Sequence, residues 1–518
     1  ADDKYYIVQI KSYGTKLDVG TPRAEVEKSL DVSVKFYISD SSNADSKANV
    51  NRALMDKYAL AIKLSDGSYQ LVSSPKGINN PEAIAENTAA IFKASSKKGI
   101  QGVAYASDGS QPTDARYANS KQTLLNLDIA DVVNPSSNYT NFTYKGKTYR
   151  FSKCSDLVAN IKSLNAGYKQ YVHGNKGTTK VAVSLCLLLS YDSANAYLID
   201  PAARSAGHKY YTLNVREEKA RETLEALFVY LGELFGQEDC YVTNWILGNE
   251  VNSSKAWNYS GNMKFESYME CYTTAFEMLY YGVKSEKSGN TVSISLDNGW
   301  TAIPDTYAGK TTLDTFAKKI YEKNPKIDWS IAYHPYSYPL TRTDFWNDST
   351  NTTNSNSTKY ISMKNINVLT NYAASLEKKY GKDAGTIRVL LTEQGYSGKV
   401  NSSKEAYSQA EALARGYYIA EFNDRIDAFI IRALLDDEEE MKGKLYLGLM
   451  DYKQNKKTSF YIYEYMDSDL TKLKQLSAQG VVTAANYGDF NNAKKILCNT
   501  NWKSIVSGFD AKKLATIK

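Results

Sequence analysis

The segment NWILGNE, residues 244–250, is an apolar run that ends abruptly on an amide and a carboxylic acid. Longer stretches with a helical repeat separate it from similar apolar runs, which lie at residues 100–106, 128–134, 181–189, 292–298, 329–336, 388–394 and 428–435. Continuous apolar runs of this length are typical of parallel strands that are covered on both faces. Together with the run at 242–249 they make eight predicted strands.

The stretches between these runs predict helices. Apolar residues recur at helical spacing in residues 214–235, after Asn214 as a candidate N-cap. Similar patterns lie at about 263–285, 312–323, 363–380 and 403–422. The links that leave the strands are long and those that enter them are short, so the long links gather at one end of the sheet. This pattern predicts an α/β fold, a (β/α)8 TIM barrel, over residues 96–480.

The regions on either side of the predicted barrel differ from it. Residues 1–95 contain short alternating runs, and Asp66-Gly67 between two of them is a hairpin signal. We therefore expect a small N-terminal antiparallel β domain, which braces the barrel or binds glycan. Residues 481–518 are expected to form a C-terminal extension packed on the barrel.

Composition argues against several classes of partner and cofactor. The 63 basic residues barely exceed the 57 acidic ones and are scattered, so no nucleic-acid partner is expected. The longest apolar run, VAVSLCLLL at residues 181–189, is too short to cross a bilayer, so no membrane span is expected. The five cysteines and three histidines lie too far apart for zinc or redox sites. We expect no cofactor and no metal site, although an all-carboxylate calcium or magnesium site stays open.

The start of the chain bears on location. It reads ADDKYY without Met, which fits either a processed secreted protein or a trimmed chain. We expect a secreted or cell-surface location. The oligomeric state stays open at this stage.

Two glutamates end predicted strands at the same mouth of the barrel. Glu250 ends the fourth strand and Glu393, in VLLTEQGY, ends the seventh, so they can approach a ligand from opposite sides. Such a pair can divide glycoside cleavage, because one carboxyl protonates the leaving oxygen while the other attacks the anomeric carbon. A separation of ~5 to 5.5 Å would mean retention of configuration, and a wider gap would admit an inverting water. The simpler interpretations are a helix-start acid for Glu250 and a turn residue for Glu393.

Polar residues beside these glutamates are candidates for substrate contacts. Asn249 precedes Glu250 and can donate to the sugar hydroxyl next to the reacting carbon. His334 and Tyr336, in YHPYSY, lie two residues apart and therefore on the same side of the sixth strand. Either can hydrogen-bond the nucleophile or the sugar, or simply close the end of the strand.

Other residues near the strand ends have two interpretations each. Trp257 and Trp300 lie in strand-to-helix loops, where an indole face can stack on a sugar or pack within the loop. Asn298 and Asp297 end the fifth strand, where they bind substrate or close a turn. Arg432, near the end of the eighth strand, faces the site or belongs to a structural ion pair.

The order of these motifs resembles the clan A retaining glycoside hydrolases, a group of TIM-barrel enzymes. The matching features are a fourth strand ending Asn-Glu, a sixth ending His-x-Tyr and a seventh ending in Glu. The segment LGLMDYKQNKKTSFYIYEYMD is similar to the loop and final helix that follow the eighth strand of such enzymes. SKKGIQG, with NPEAIAENT before it, is similar to a bacterial subgroup of barrel hydrolases.

The resemblance implies a role for each matching residue. Glu250 would be the acid/base, Glu393 the nucleophile and Asn249 the contact to the sugar 2-hydroxyl, with His334 and Tyr336 beside the nucleophile. Many members of the group also place an arginine at the end of the second strand, where this chain has Asn134 by the predicted strand boundaries.

These observations favour a secreted retaining glycoside hydrolase that cleaves a β-linked poly- or oligosaccharide by double displacement. The main alternative is a non-catalytic carbohydrate-binding TIM barrel, which would have no chemical need for the glutamate pair. A barrel enzyme for a phosphorylated substrate is disfavoured, because the loops EQGYSGKVNSS and DDEEEMKGK are not the Gly-rich phosphate loops of such enzymes.

Overall fold

The structure, a computed structural model, describes residues 4–14, 24–26, 54–103, 119–172, 175–302, 307–399 and 402–467. Its N-terminal part is an antiparallel sheet in the order β2-β1-β3-β4, formed by β1 (Tyr5–Ile10), β2 (Ala24–Val26), β3 (Lys57–Lys63) and β4 (Tyr69–Leu71). Gly67 adopts φ +85° in the turn between β3 and β4, a conformation that other residues rarely take. The predicted hairpin and the N-terminal β domain are therefore confirmed.

Eight parallel strands then close into a barrel. Twelve strands follow β4 in the described part of the chain, eight of the barrel and four of two hairpins: β5 (Lys98–Gln101), β6 (Gln122–Asp128), β7 (Tyr139–Tyr144), β8 (Lys147–Ser152), β9 (Tyr168–Val172), β10 (Asn175–Thr179), β11 (Ala182–Leu188), β12 (Asn244–Leu247), β13 (Thr291–Leu296), β14 (Ser330–Tyr333), β15 (Val389–Gln394) and β16 (Ile426–Ile431). The barrel takes β5, β6 and β11 to β16 in that order, while β7 with β8 and β9 with β10 form separate hairpins. The predicted TIM barrel is confirmed.

Helices cover the outside of the barrel. They are α1 (Ile129–Val132), α2 (Ser155–Ala166), α3 (Glu218–Leu234), α4 (Phe265–Lys284), α5 (Gly309–Lys323), α6 (Ile366–Lys379), α7 (Ser403–Glu421), α8 (Glu438–Lys442) and α9 (Thr458–Tyr465). The bounds of α3 to α7 agree with the predicted helices to within four residues. The N-cap of α3 is Glu217 rather than Asn214, whose side-chain oxygen accepts the Glu217 N–H at 3.1 Å.

The second barrel strand is displaced from its prediction. It was expected at residues 128–134, but β6 ends at Asp128 and pairs with β11 over all seven of its residues. The Asp128 carboxylate accepts the Ala130 N–H at 3.0 Å and so starts α1, which excludes the following run from the sheet. Asn134 is therefore not at a strand end, and Asp128 occupies that place.

Two apolar layers hold the barrel together. Its interior is filled by Leu124, Cys186, Leu188, Ile246, Ala332, Leu390, Ala428 and Ile430. The outward side chains of the strands pack against the helices, and among them Trp245 and Trp329 are fully buried, as core residues should be. Because the interior is filled, a ligand cannot enter the barrel itself, and an active site is expected at the mouth formed by the carboxyl ends of the strands.

A buried ion pair joins the first barrel strand to the chain just after α9. Lys98 Nζ donates to Asp467 Oδ1 at 2.5 Å, and Ser96 Oγ donates to Asp467 Oδ2 at 2.8 Å. Both charged side chains are shielded from solvent. The predicted boundaries at residues 95 and 480 stay predictions, and the predicted extension at 481–518 lies outside the described residues. Within the described ranges, no helix has the length and apolar character to span a membrane.

Candidate active site

The loop after β12 turns sharply and brings a glutamate to the barrel mouth. Gly248 and Glu250 both have positive φ, +72° and +42°, which a glutamate adopts only under strain. The Glu250 N–H donates to Ser295 Oγ at 3.0 Å and the Val251 N–H to Ser295 O at 2.9 Å, so β13 holds the turn in place. Strain maintained by neighbouring structure in this way is concentrated at functional sites.

Glu250 contacts a histidine that follows β14. His334 Nδ1 lies 2.7 Å from Glu250 Oε1, and both side chains are buried. Burial by itself lowers the pKa of His334, but the charge of Glu393, the bond to Glu250 and the charge of Asp297 outweigh it and raise that pKa. The family resemblance placed His334 beside the nucleophile, whereas its hydrogen bond goes to the candidate acid/base and its charge acts on both glutamates.

Glu393 is held by donors from two other strand ends. Tyr336 Oη donates to Glu393 Oε1 at 3.0 Å, and Gln101 Nε2, on β5, donates to Glu393 Oε2 at 3.0 Å. Burial acts to raise the pKa of Glu393, but the charges of His334 and Arg432 and these two hydrogen bonds outweigh it and lower that pKa. The Glu393 carboxylate is therefore held ionised at neutral pH.

A cation from the last barrel strand lies beside this carboxylate. The Arg432 N–H donates to Gln394 O at 2.9 Å, which places Arg432 directly next to the end of β15. Its guanidinium donates twice to Glu440 Oε1, at 2.9 and 2.6 Å, and the charge of Glu393 helps to raise its pKa. Arg432 therefore forms a structural ion pair and also contributes charge to the site.

A third carboxyl lies at the end of β13. Asp297 Oδ1 accepts from Asn252 Nδ2 at 2.6 Å and from the Gly299 N–H at 2.7 Å, and the Asp297 N–H donates back to Asn252 Oδ1 at 3.0 Å. Burial and the nearby charge of Glu250 raise the pKa of Asp297 to about 7, against the opposing effect of these hydrogen bonds and His334. Near neutral pH Asp297 thus retains a proton in part of the molecules, whereas Glu393 has lost its proton.

Two residues predicted to bind substrate have structural roles. Trp300 is fully buried, donates from Nε1 to Asn356 O at 3.1 Å and packs edge-on against Tyr372, so its ring offers no face to a sugar. The expectation of a sugar platform at Trp300 is wrong, because its loop folds back into the core. The Asn298 side chain donates to Tyr336 O at 2.8 Å and so fixes the backbone that carries Tyr336.

Two other predicted residues keep free surface near the mouth. Asn249 is partly exposed, and its side chain makes no hydrogen bond with any described residue. Trp257 is 39% exposed, and its ring lies 6.5 Å from that of Tyr210. Tyr210 packs against the apolar interior of the barrel, and the charge of Glu393 acts on its hydroxyl. The two rings therefore form an aromatic wall near the mouth, and Tyr210 is close enough to Glu393 for the charge of that carboxylate to act on its hydroxyl.

Sequence reasoning missed Gln101, Asn252 and Tyr210. Gln101 lay inside a predicted strand with no pattern to separate it from its neighbours, and Tyr210 lay in a long loop among many tyrosines. The one available signal was that Asn252 lies two residues after a candidate catalytic glutamate. Among the described residues, no group of three or more His, Cys, Asp and Glu side chains is placed to hold a metal ion.

Comparison with protein families gives one match. The model of a family described as "Family of unknown function (DUF5722)" matches residues 90–489. The chain belongs to this family. The match covers the whole barrel, including both glutamates, and no curated protein matches the DUF5722 chain significantly.

Three solved structures with an overall likeness to this DUF5722 member are distant from it in sequence. A family 39 glycoside hydrolase from the gut symbiont Bacteroides cellulosilyticus WH2 is 16% identical, with a TM-score of 0.44 over 79% of this chain and 70% of that one. A glucosidase from Croceicoccus marinus is 13% identical, with a TM-score of 0.40 over 73% and 69%. A fungal β-1,4-galactanase is 10% identical, with a TM-score of 0.42 over 71% and 99%. The function of this chain therefore has to be argued from its own side chains.

Proposed function

We propose that this protein is a retaining glycoside hydrolase that cleaves a β-linked poly- or oligosaccharide by double displacement. The observation that carries the proposal is that two glutamates at one barrel mouth have different hydrogen-bond partners and different neighbouring charges. Glu393 receives two hydrogen-bond donors and the influence of two cationic side chains, which keeps it ionised. Glu250 is strained, buried and bonded to a single imidazole.

Each glutamate suits one half of the reaction. In the first step a Glu393 oxygen attacks the anomeric carbon, the glycosidic C–O bond breaks, and Glu250 donates a proton to the leaving oxygen. His334 occupies Oε1 of Glu250, which leaves Oε2 for the proton transfer. In the second step Glu250 takes a proton from water, whose oxygen attacks the same carbon and releases Glu393.

The surroundings of Glu393 support a nucleophile rather than a structural carboxylate. The Tyr336 hydroxyl keeps its proton, since burial and the charge of Glu393 raise its pKa well above the usual value. It therefore remains a donor to the carboxylate at neutral and moderately alkaline pH. A carboxylate surrounded by fixed donors is aligned for attack with little reorganisation.

Substrate contacts are proposed along the mouth. Asn249 adjoins Glu250 and has an unused amide, which suits a hydrogen bond to a sugar hydroxyl. The exposed ring of Trp257, with Tyr210 beside it, suits stacking on the apolar face of a pyranose. With these contacts, the proposed substrate is a carbohydrate that has further sugar units beside the one that is attacked.

A carbohydrate-binding protein without turnover is the competing proposal. It would use the aromatic wall formed by Tyr210 and Trp257, but it has no need of a carboxylate held ionised among buried groups. Burying a charged carboxylate costs folding free energy, and such perturbed groups cluster at functional sites. The chemistry of Glu393 therefore favours catalysis.

The test is a hydrolysis screen of the parent, Glu393→Ala and Glu438→Ala on β-linked polysaccharides and aryl glycosides. Glu438 is an exposed glutamate on α8 and serves as a matched control. We expect Glu393→Ala to lose activity by several orders of magnitude and to recover part of it with azide, while Glu438→Ala stays active. Proton NMR of the first product formed should show the configuration of the substrate. Sugar binding by the parent without hydrolysis would favour the binding protein, and an inverted product would overturn double displacement.

An extracellular location is part of the proposal. A polysaccharide is too large and too polar to cross a membrane unaided, so the enzyme has to meet it outside the cell. Immunodetection in fractions of the source culture checks this, and protein found only inside the cells would contradict it.

A further inference from the structure

We propose that Asp297 is a positioning residue that acts on the acid Glu250 from the neighbouring strand and thereby sets the upper pH limit of catalysis. This inference rests on the proposed function, since it assigns Asp297 a role in the use of Glu250 as the acid. It adds no step in which a bond breaks. Glu250 still donates the proton, and Asp297 acts through it.

Asp297 directly follows the strand that lies between those of Glu250 and His334. β13 lies between β12 and β14 in the barrel. On one side, Ser295 accepts the Glu250 N–H at 3.0 Å. On the other side, the His334 N–H donates to Leu296 O at 3.0 Å. The end of β13 therefore fixes both Glu250 and His334, and Asp297 is the next residue on it.

The two oxygens of Asp297 are used differently. Oδ1 accepts from Asn252 and Gly299, at 2.6 and 2.7 Å. No donor within the described ranges is bonded to Oδ2. The side chain as a whole is only 8% exposed. One oxygen is thus anchored, and the other can carry a proton.

The charged and titratable groups around Asp297 favour that proton. Glu250 acts on it from the turn after β12 and His334 from the residue after β14, and the charge of Asp297 acts in turn on Tyr333 of β14. Glu393, on β15, acts on the same histidine. Burial and the charge of Glu250 raise the pKa of Asp297 to about 7, against the smaller influence of Asn252, Gly299 and His334.

Two neighbouring carboxyls that repel each other share their protons as a pair. The pair holds one shared proton through neutral pH, and Glu250 delivers that proton to the leaving oxygen. Loss of the shared proton removes the acid and ends catalysis. An uncharged residue at position 297 removes the repulsion, so the site should lose its acid at lower pH.

The test is the pH profile of kcat/KM for Asp297→Asn on a glycoside with a poor leaving group, which requires acid assistance. Asparagine keeps the size of the side chain and the oxygen that binds Asn252 and Gly299. We expect the alkaline limb to move to lower pH by about one unit, with activity on the acid side within a few-fold of the parent. Asn252→Ala is the control, because it loosens Asp297 without removing its charge. It should lower activity without moving that limb to lower pH.

A second measurement needs no substrate. With ¹³C-labelled aspartate, the parent should show one buried carboxyl that is protonated at about pH 6 and titrates near neutrality, and Asp297→Asn should lack it. An ionised Asp297 at about pH 6 would overturn the inference, and so would a raised KM with an unmoved alkaline limb, which would make Asp297 a substrate contact. If the parent hydrolyses nothing, the proposed function fails together with the catalytic role. The titration then still reports whether the proton is there.

Discussion

The imidazole of His334 lies 2.7 Å from the carboxylate of Glu250, across the end of the strand that separates their own strands in the barrel. The contact joins the turn after β12 to the residue that follows β14, and the two residues are 84 positions apart in the sequence. The carboxylate of Glu250 favours the charged form of the imidazole, so the protonation of His334 depends on this contact. Stability and activity should both report this coupling.

Folding stability should depend on His334 in acid more than in base. The folded-state pKa of His334 is raised above its ordinary value of 6.5, so its protonated form stabilises the protein below that pH. The contribution is lost as the pH rises through the folded-state pKa. His334→Gln should therefore cost more unfolding free energy at about pH 5.5 than at about pH 8.5. Urea denaturation at both pH values measures this, and an equal cost at both would contradict it.

Tyr336→Phe should move the acid limb of the kcat/KM profile to higher pH. The hydroxyl of Tyr336 donates to Glu393 at 3.0 Å and helps to lower its pKa, so its removal raises that pKa and lets the nucleophile protonate sooner. We expect kcat to fall by about 10-fold or more. Tyr338→Phe is the matched control, because Tyr338 is exposed and stacks on Tyr360. An unmoved acid limb in Tyr336→Phe would remove the proposed role of this bond.

Arg432→Met should shift the same limb in the same direction. The substitution keeps much of the aliphatic side chain and removes the charge that helps to hold Glu393 ionised. Glu440→Gln should leave the limb in place or move it the opposite way, because it removes only the anionic partner of Arg432. If both variants gave the same upward shift, the ion pair would matter for structure alone. The pH dependence of kcat/KM on an aryl glycoside provides the comparison.

The buried ion pair at the start of the barrel should be sensitive to loss of one partner. Asp467→Asn leaves the Lys98 ammonium buried without its counter-charge, which should cost about 3–5 kcal/mol of unfolding free energy. The double variant Lys98→Met with Asp467→Leu should recover much of that loss. Chemical denaturation of the three proteins tests this. A double variant no more stable than Asp467→Asn would show that polar contacts such as Ser96 to Asp467 dominate.

Two tryptophans predicted as sugar platforms should now behave differently. Trp257→Ala should raise KM for an oligosaccharide several-fold while leaving the stability nearly unchanged, because the ring is 39% exposed. Trp300→Ala should cost about 3–5 kcal/mol of stability, because it empties a buried site. Kinetics and thermal unfolding of both variants separate the two roles. A stable Trp300→Ala with impaired binding would reverse the assignment.

The sequence predicted the repeating elements of the barrel well because they depend on local periodicity. The spacing of Leu224, Leu227 and Leu231 suits one helix face, and the helix forms at that place. The second strand shows where this reasoning stops. LLNLD and DIADVVN are both apolar runs, and pairing with β11 together with the cap at Asp128 selected the first of them.

By itself the sequence determined the order of strands and helices, and with it the placing of Glu250 and Glu393 at one end of a barrel, because those follow from alternation and from loop length. Only the tertiary structure decided which residue touches which glutamate. Gln101 contacts Glu393 from a strand 292 positions earlier in the chain, and Trp300 is buried where its loop folds back. Side-chain partners of this kind depend on barrel closure and on packing between distant segments. Neither produces a periodic pattern in the sequence.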